Sequence, residues 1–485
     1  MAFVKRPSQP RYDVIVIGSG FAAAFFLKGF LGRAGDRARV LVLERGPRWP
    51  HARQIQARRS SPFDARNFYT RSGDPSKEWW FNLSFGGGSN CWWSNAPRFK
   101  PVDFATRTHF GVGRDWPISY TQLEPYYDQV ERAMSLSGPD APWPFPRSGA
   151  YPEPPHRFND PEQRLKAAYP DQFFHTPCGR SRTGASGRPV CCGNGVCHLC
   201  PVDSKFTIQN SLMEPFEDPR VEIVVEAEVV GIDIAAGSAK GVVYRQAEAE
   251  QHVQADLVVV AANAMFNPLL LLRSGLSHPQ LGRRLHEQVG LLAEVRLAHT
   301  DGFQGSTSVT GHGYMLYDDE RRKTMAGCLI ETWNVGLLRQ EFGKWRKALP
   351  VRLVYEDVPD EANQVTVDPA NPSRPVAHYR GHSDYTARAI ARAEQDLARV
   401  MQPLDVEEIV VAKSVEPSEA HIMGTTVMGS DPRDSVVDPD CVHHQIRNLI
   451  VVGASTFPVS GPANPTLTLS AQALRVGDRL ERSNG

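Results

Sequence analysis

Apolar positions along this chain fall into runs of three kinds. Continuous apolar runs of strand length stand at residues 12–17 (YDVIVI), 39–43 (RVLVL), 256–261 (DLVVVA) and 449–453 (LIVVG). A run apolar on both faces suits a parallel strand covered by helices on either side. Residues 221–234 and 241–244 alternate like half-buried strands. So do four segments between 291 and 369 (LLAEVRL, YMLYDD, GCLIETW and VRLVYEDV), which predict an antiparallel sheet in a second domain. Helices are expected over 21–31, 118–136, 385–401 and 468–480, with one more starting at Asn267 and carrying Pro268 just inside its start. Residues 137–188, rich in Pro, Arg and aromatics, show little periodicity and read as irregular covering structure.

The order of these elements predicts an α/β fold. One doubly wound, Rossmann-like domain is assembled from residues 1–105, 205–290 and 413–485. An α+β substrate-binding domain with an antiparallel sheet takes 106–204 and 291–412. No internal repeat or low-complexity segment is present.

Composition narrows the function. Lys+Arg and Asp+Glu both number 54 in the 485 residues, a net charge of zero. That balance argues against nucleic acid as the main partner, because phosphate binding leaves a basic excess. Hydrophobic residues at 41% and charged residues at 22% describe a globular chain, not a disordered one. Apolar runs stop well short of the ~18 residues needed to span a bilayer, so no membrane span is expected. The opening MAFVKRPSQPRYDV lacks an apolar signal core, and a cytoplasmic protein is expected.

Candidate chemistry begins at Gly18-Ser19-Gly20-Phe21-Ala22-Ala23, which fits G-x-G-x-x-G/A between a strand and a helix. Gly18 permits the tight turn and Gly20 lets the backbone approach a diphosphate. The N–H groups of Phe21 and Ala22 at the helix start suit phosphate oxygens. Glu44, at the end of the second strand, is placed to accept hydrogen bonds from a ribose and repels a 2′-phosphate, so the site favours FAD or NAD over NADP. A Gly-rich turn that binds no nucleotide is the alternative.

Further segments carry a resemblance. They are Gly86-Gly87-Gly88-Ser89-Asn90 with Ala96-Pro97-Arg98, and His421-Ile422-Met423-Gly424-Thr425 with Met428-Gly429 and Val437-Asp438. The last is 448–455 (NLIVVGAS) with Phe457-Pro458 and Asn464-Pro465-Thr466. With the N-terminal motif they resemble the glucose–methanol–choline (GMC) family of FAD-dependent alcohol oxidoreductases. The resemblance implies that His421 is the base that takes the hydroxyl proton, and that Asn464 orients the substrate oxygen. A neutral imidazole suits proton removal near pH 7; a satisfied core histidine is the alternative. It also implies that Gly88, Ser89 and Asn90 lie against the cofactor. Val229 would face the adenine through its backbone, and Ala454, Ser455, Pro465 and Thr466 would line the ribityl chain and ring. Two departures stand out. Gly453 occupies a position where relatives carry Asp. Cys91 aligns where some relatives attach FAD covalently through His, so a thioether is conceivable but non-covalent binding is expected. His443 and His444 read as solvated turn residues.

Four of the eight cysteines fall between Cys191 and Cys200. The segment CCGNGVCHLCP resembles that of bacterial FAD-dependent sugar dehydrogenases with a three-iron cluster. The mapping makes Cys191, Cys197 and Cys200 candidate ligands of a [3Fe-4S] cluster, with Cys192 spare. The last gap is one residue shorter than in those relatives. Structural zinc, held by four sulfurs or three with His198, and unligated packing cysteines are the alternatives.

The expectation is FAD-dependent oxidation of a CH–OH group of a sugar, glycoside or polyol, with electrons passed through the cysteine cluster to an acceptor or partner protein. An oxygen-using oxidase, and a flavin-binding structural or sensor protein without turnover, are the rivals.

Overall fold

The computed structural model describes residues 3–480 apart from 248. A seven-stranded sheet is ordered Val221–Val224, Val40–Leu43, Arg11–Ile17, Ala249–Val260, Ser238–Gln246 and Glu228–Ala235, with Leu449–Val451 also paired to Ala249–Val260. The long strand Ala249–Val260 is parallel to Arg11–Ile17 on one side. Its other edge is shared between the antiparallel Ser238–Gln246 and, further along, the parallel Leu449–Val451. The last strand thereby delivers the C-terminal segments to the same sheet end as the Gly18 turn.

The first helix, Phe21–Arg33, packs on the last, Thr466–Arg479, at backbone contact. A Cβ on Gly29 would lie 2.4 Å from the Leu474 carbonyl oxygen, and one on Gly477 would lie 2.3 Å from that of Phe26. Both ends of the chain are locked together by two missing side chains.

The second sheet has six strands, all antiparallel, ordered Val406–Val411, Val289–Leu297, Ala348–Tyr355, Cys328–Trp333, Val309–Leu316 and Phe173–His175. A small third sheet joins Gln364–Val367, Pro375–Tyr379 and Thr70–Gly73. No helix among the described residues is long and apolar enough to cross a membrane.

Several local expectations change. The helix expected from Asn267 spans Asn263–Arg273, with Pro268 inside it. Asn263 is its first residue, with its Oδ1 accepting from the Met265 and Phe266 N–H groups. Proline at 268 leaves the Ala264 carbonyl without its helical donor, and the Thr425 hydroxyl donates to that oxygen at 2.8 Å. The amphipathic stretch 385–401 is two helices, Asp384–Ile390 and Ala393–Val400. Its buried stripe (Tyr385, Ala389, Ala393, Leu397, Val400) continues across the break, so periodicity does not register it. Within the stretch read as irregular, Asp160–Ala168 is helical, with a capping box between Asn159 and Glu162 and Pro161 in its first turn. His443 is buried, not solvated, and its Nδ1 accepts from the Gln445 and Ile446 N–H groups.

Candidate active site

A single cavity of about 910 Å³ runs from the turn after the first strand to the loops carrying His421 and Asn464. Gly18, Gly20, Phe21, Ala22, Glu44, Val229, Gly88, Ala454, Pro465 and Thr466 all line it. Gly18 has φ +100°, and a Cβ there would meet the Ala261 carbonyl oxygen at 2.6 Å. A Cβ on Gly87 would lie 3.1 Å from the Gly20 Cα, so the two glycine segments touch through backbone alone. Ser19 ties them: its hydroxyl donates to Glu44 and accepts from the Gly86 N–H at 3.1 Å. Glu44 is buried, also accepts from the Gly46 N–H at 2.8 Å, and is shifted upward by that burial.

Three expected contacts do not face the cavity. Ser89 is turned inward, its hydroxyl donating to the Gly86 carbonyl and accepting from the Ile208 N–H. Asn90 is spent on its own turn, donating to the Phe85 carbonyl and the Ser84 hydroxyl while accepting from Gln209. Ser455 accepts from Asn267 and Thr426 at 2.7 Å each. All three hold the walls in shape: Ser89 and Asn90 bond backbone of their own turn, and Ser455 links side chains of two other segments.

At the other end, the loop carrying His421 is pinned from below by Glu287. That carboxylate accepts from the N–H groups of Glu419 and His421, from the Ser418 hydroxyl and from Lys77. His421 is partly exposed, into the cavity it lines. Its Nδ1 lies 2.7 Å from the Gln288 side-chain oxygen. Burial pushes its pKa down to about 4, so the ring is neutral at pH 7.

Asn464 is buried, sends an N–H toward Glu331 Oε1 at 3.4 Å, and its Oδ1 has no partner. Glu331 also accepts from Asn95 at 3.0 Å and from the Trp333 indole at 3.2 Å, with His312 3.6 Å away. Burial alone would raise Glu331; His312, Arg352 and Asn95 outweigh it and hold the carboxyl down at about 2. Glu419 accepts two bonds from Arg352, at 3.0 and 2.6 Å, yet burial still pushes it up to about 7. Trp93 and Trp333 stand 4.9 Å apart, with Arg352 over Trp333 at 5.7 Å. Two indoles beside ionic and amide groups form a surface suited to a polyhydroxylated ring. Glu331 and Arg352 have no local sequence signal; only the pairing of their two strands brings them to the cavity.

Cys191, Cys197 and Cys200 line a separate void with Arg180 and Lys205. That void holds about 10 Å³, the space of a single water. Each thiol has its own partner: the Thr307 hydroxyl at 3.4 Å from Cys191, the Ser308 hydroxyl at 2.9 Å from Cys197, and the Ser204 N–H at 3.3 Å from Cys200. Among the described residues no three His, Cys, Asp or Glu side chains converge on one ion position. The expected [3Fe-4S] ligand set and the zinc alternative are therefore not supported by this geometry. Spacing along the chain matches ligand runs, but the thiols meet separate partners, two hydroxyls and one backbone N–H. Cys91 does line the cavity beside Gly88, with a thiol held protonated by burial.

Comparison with known proteins fits this arrangement. Residues 84–290 match an N-terminal and residues 359–473 a C-terminal family model, both of GMC oxidoreductases. The chain is 26% identical to the fructose dehydrogenase large subunit of Gluconobacter japonicus, covering 96% of this chain and 97% of that one. It is 28% identical to 2-methyl-1,2-propanediol dehydrogenase of Mycolicibacterium austroafricanum, covering 98% and 96%. A 6'''-hydroxyparomomycin C oxidase of Streptomyces lividus is 26% identical, covering 96% and 90%. In fold, pyridoxine 4-oxidase from Mesorbium loti superposes with a TM-score of 0.71 at 16% identity, over 96% of this chain and 98% of the other. An Aspergillus oryzae formate oxidase gives 0.68 at 16%, over 98% of each.

Proposed function

The chain belongs to the GMC oxidoreductase family, and on that premise we propose that it oxidises a CH–OH group of a sugar, glycoside or polyol to the carbonyl, with His421 as the base. The observation that carries this reading is the cavity itself: a glycine turn built for a diphosphate and a neutral imidazole share one continuous space.

FAD fits the residues present. Its volume class matches cofactor pockets, which run to roughly 1,000 Å³, and the turn at Gly18 and Gly20 leaves backbone open where side chains would block it. We assign the diphosphate to the N–H groups of Gly20, Phe21 and Ala22, the ribose to Glu44, and the adenine to the backbone at Val229. Gly88, Ala454, Pro465 and Thr466 are assigned to the remainder, without a covalent link at Cys91. When bound, the flavin supplies the acceptor for the hydride that leaves the carbinol carbon.

The protein's own groups do the rest. His421, neutral and partly exposed to the cavity, takes the hydroxyl proton as the carbonyl forms. Asn464 offers its unpartnered oxygen and a second N–H to the substrate. Glu331 fixes the amide's orientation by accepting the first N–H. Trp93 and Trp333 stack against the apolar face of a ring, and Arg352 and Glu419 meet hydroxyl groups. Relatives are named both dehydrogenases and oxidases, so the acceptor is decided by measurement. Peroxide formed at the rate of substrate loss marks an oxidase; reduction of a dye under argon without peroxide in air marks a dehydrogenase.

The test is spectroscopic. Purified protein should be yellow, and anaerobic addition of sugars, glycosides and polyols should bleach the flavin with at least one of them. Colourless protein, or a spectrum unmoved by every alcohol offered while dithionite bleaches it, overturns the proposal.

A further inference from the structure

The mechanism above needs one particular lone pair on His421, and the residue that exposes it lies outside every sequence motif. Gln288 is 1% exposed and belongs to the segment that leads into the strand Val289–Leu297. His286 and Met423 form an antiparallel bridge, joined by hydrogen bonds in both directions. Two residues further along each strand, that register sets Gln288 opposite His421.

The side-chain amide of Gln288 can sit only one way round. Its nitrogen donates to the carbonyl oxygens of Gly461, at 2.7 Å, and Ala463, at 2.5 Å. Turning the amide over would set oxygen against two carbonyl oxygens, four lone pairs with no hydrogen between them. Both amide hydrogens are thus consumed, and the amide oxygen is left facing His421 Nδ1 at 2.7 Å. An oxygen with no hydrogen can only accept, so Nδ1 must carry the proton. A neutral imidazole has one N–H, and Nε2 is therefore bare.

We propose that Gln288 is the positioning residue of this site: it fixes the tautomer of His421 so that Nε2 is the proton acceptor, and it couples that ring to the segment leading into Asn464. The proposal rests on the reading of His421 as the base. The two carbonyls that orient the amide belong to Gly461 and Ala463, immediately before Asn464, so a single side chain sets the spacing between the two groups that meet the substrate hydroxyl. Charged groups facing His421 shift its charge, while among the described residues only Gln288 hydrogen-bonds a ring nitrogen. Those charged groups are Glu331 and Arg352 from the second sheet, Glu287 beneath its backbone and Glu419 on its own loop.

Nitrogen-15 NMR on histidine-labelled, flavin-loaded protein tests this without turnover, the His421 signals being identified by their loss in His421→Asn. The expected spectrum has Nδ1 in the protonated range and Nε2 in the unprotonated range at pH 7. Gln288→Met, similar in length but with no such acceptor, should lose that fixed tautomer. It should also lower kcat roughly 10- to 100-fold, the size of effect seen when a metal-bound imidazole loses its orienting partner, with KM changed much less. A wild-type His421 protonated on Nε2 overturns the inference, whatever the variant does, and so does a Gln288→Met enzyme that keeps both tautomer and kcat. The failure of the parent reading looks different: His421→Asn would then turn over normally while the tautomer result still stood.

Discussion

Glu331 and Arg352 are direct partners across two antiparallel strands, yet Arg352 gives its hydrogen bonds to Glu419, two residues before His421. The carboxylate of Glu331 is thereby left to Asn95, Trp333 and Asn464. Glu331→Gln should keep flavin bound but lower kcat/KM roughly 10-fold, about 1.4 kcal/mol of transition-state stabilisation. Its folded pKa, about 2, lies below the ordinary 4.5. The carboxylate therefore stabilises the fold above pH 4.5, and that contribution is lost as pH falls toward 2. Thermal melts between pH 5 and 3 should fall less steeply for Glu331→Gln than for wild type.

His421 and Glu419 titrate in opposite senses. Burial depresses the His421 imidazole from 6.5 to about 4, so its neutral form persists well into acid. The rate of flavin reduction at saturating substrate should stay level from neutral pH downward and drop only near pH 4. Its contribution to stability has the same direction, full above 6.5 and lost as pH falls through 4. Glu419 is raised from 4.5 to about 7, so its contribution is full below 4.5 and lost as pH rises toward 7. A shoulder in KM near pH 7 should be present in wild type and absent in Glu419→Gln.

Gly453 has φ +104° and sits 3.3 Å, by its would-be Cβ, from the Ala22 Cβ. With ψ −177° the backbone lies in a region reserved for glycine, so a side chain there is strained by about 1–3 kcal/mol and pushes on the glycine turn at Ala22. Gly453→Asp, the residue that resembling proteins carry, should weaken FAD retention during dialysis. Full flavin content in that variant would contradict the assignment of this wall to the cofactor.

Gly477→Ala tests the junction of the chain's two ends. Its Cβ would stand 2.3 Å from the Phe26 carbonyl oxygen, an overpacked contact worth about 1–3 kcal/mol. A lowered melting temperature with unchanged KM is expected, measured by calorimetry on the flavin-loaded enzyme.

The three thiols at 191, 197 and 200 bond to separate hydroxyl and amide groups around a void of about 10 Å³. Replacing all three by serine should leave flavin reduction by substrate within a factor of about two, a change under 0.5 kcal/mol. Metal analysis that finds about three irons per wild-type chain would contradict the geometry.

What was readable in the sequence was local. The Gly18 turn, its flanking strand and helix, and Glu44 lie within residues 11–44 of the chain and sit where their pattern implies. His421 and Asn464 were found by motif and do share the cavity. Sequence places Ser89, Asn90 and Ser455 on the cavity wall, but the turn around Ser89 and Asn90 takes up their hydrogen bonds, and Ser455 is engaged by Asn267 and Thr426. Gln288, Glu331 and Arg352 had no signal, since their position depends on strand register across a sheet joined over long stretches of chain. The cysteine segment shows the same limit from the other side, because spacing along a loop does not fix where four sulfurs point. The helix Asp160–Ala168 was recoverable: Asn159, Pro161 and Glu162 form a start signal that the surrounding prolines obscured.

The proposed reaction depends on one imidazole, His421, removing the hydroxyl proton. Anaerobic stopped-flow reduction of the flavin, with the best alcohol found by screening, compares wild type with His421→Asn at equal flavin content and pH 7. The rate of flavin reduction should be lower by about 10²- to 10⁴-fold, the usual contribution of a positioned base, with the absorption spectrum of the oxidised variant unchanged. Reduction of His421→Asn within a few-fold of wild type would contradict it.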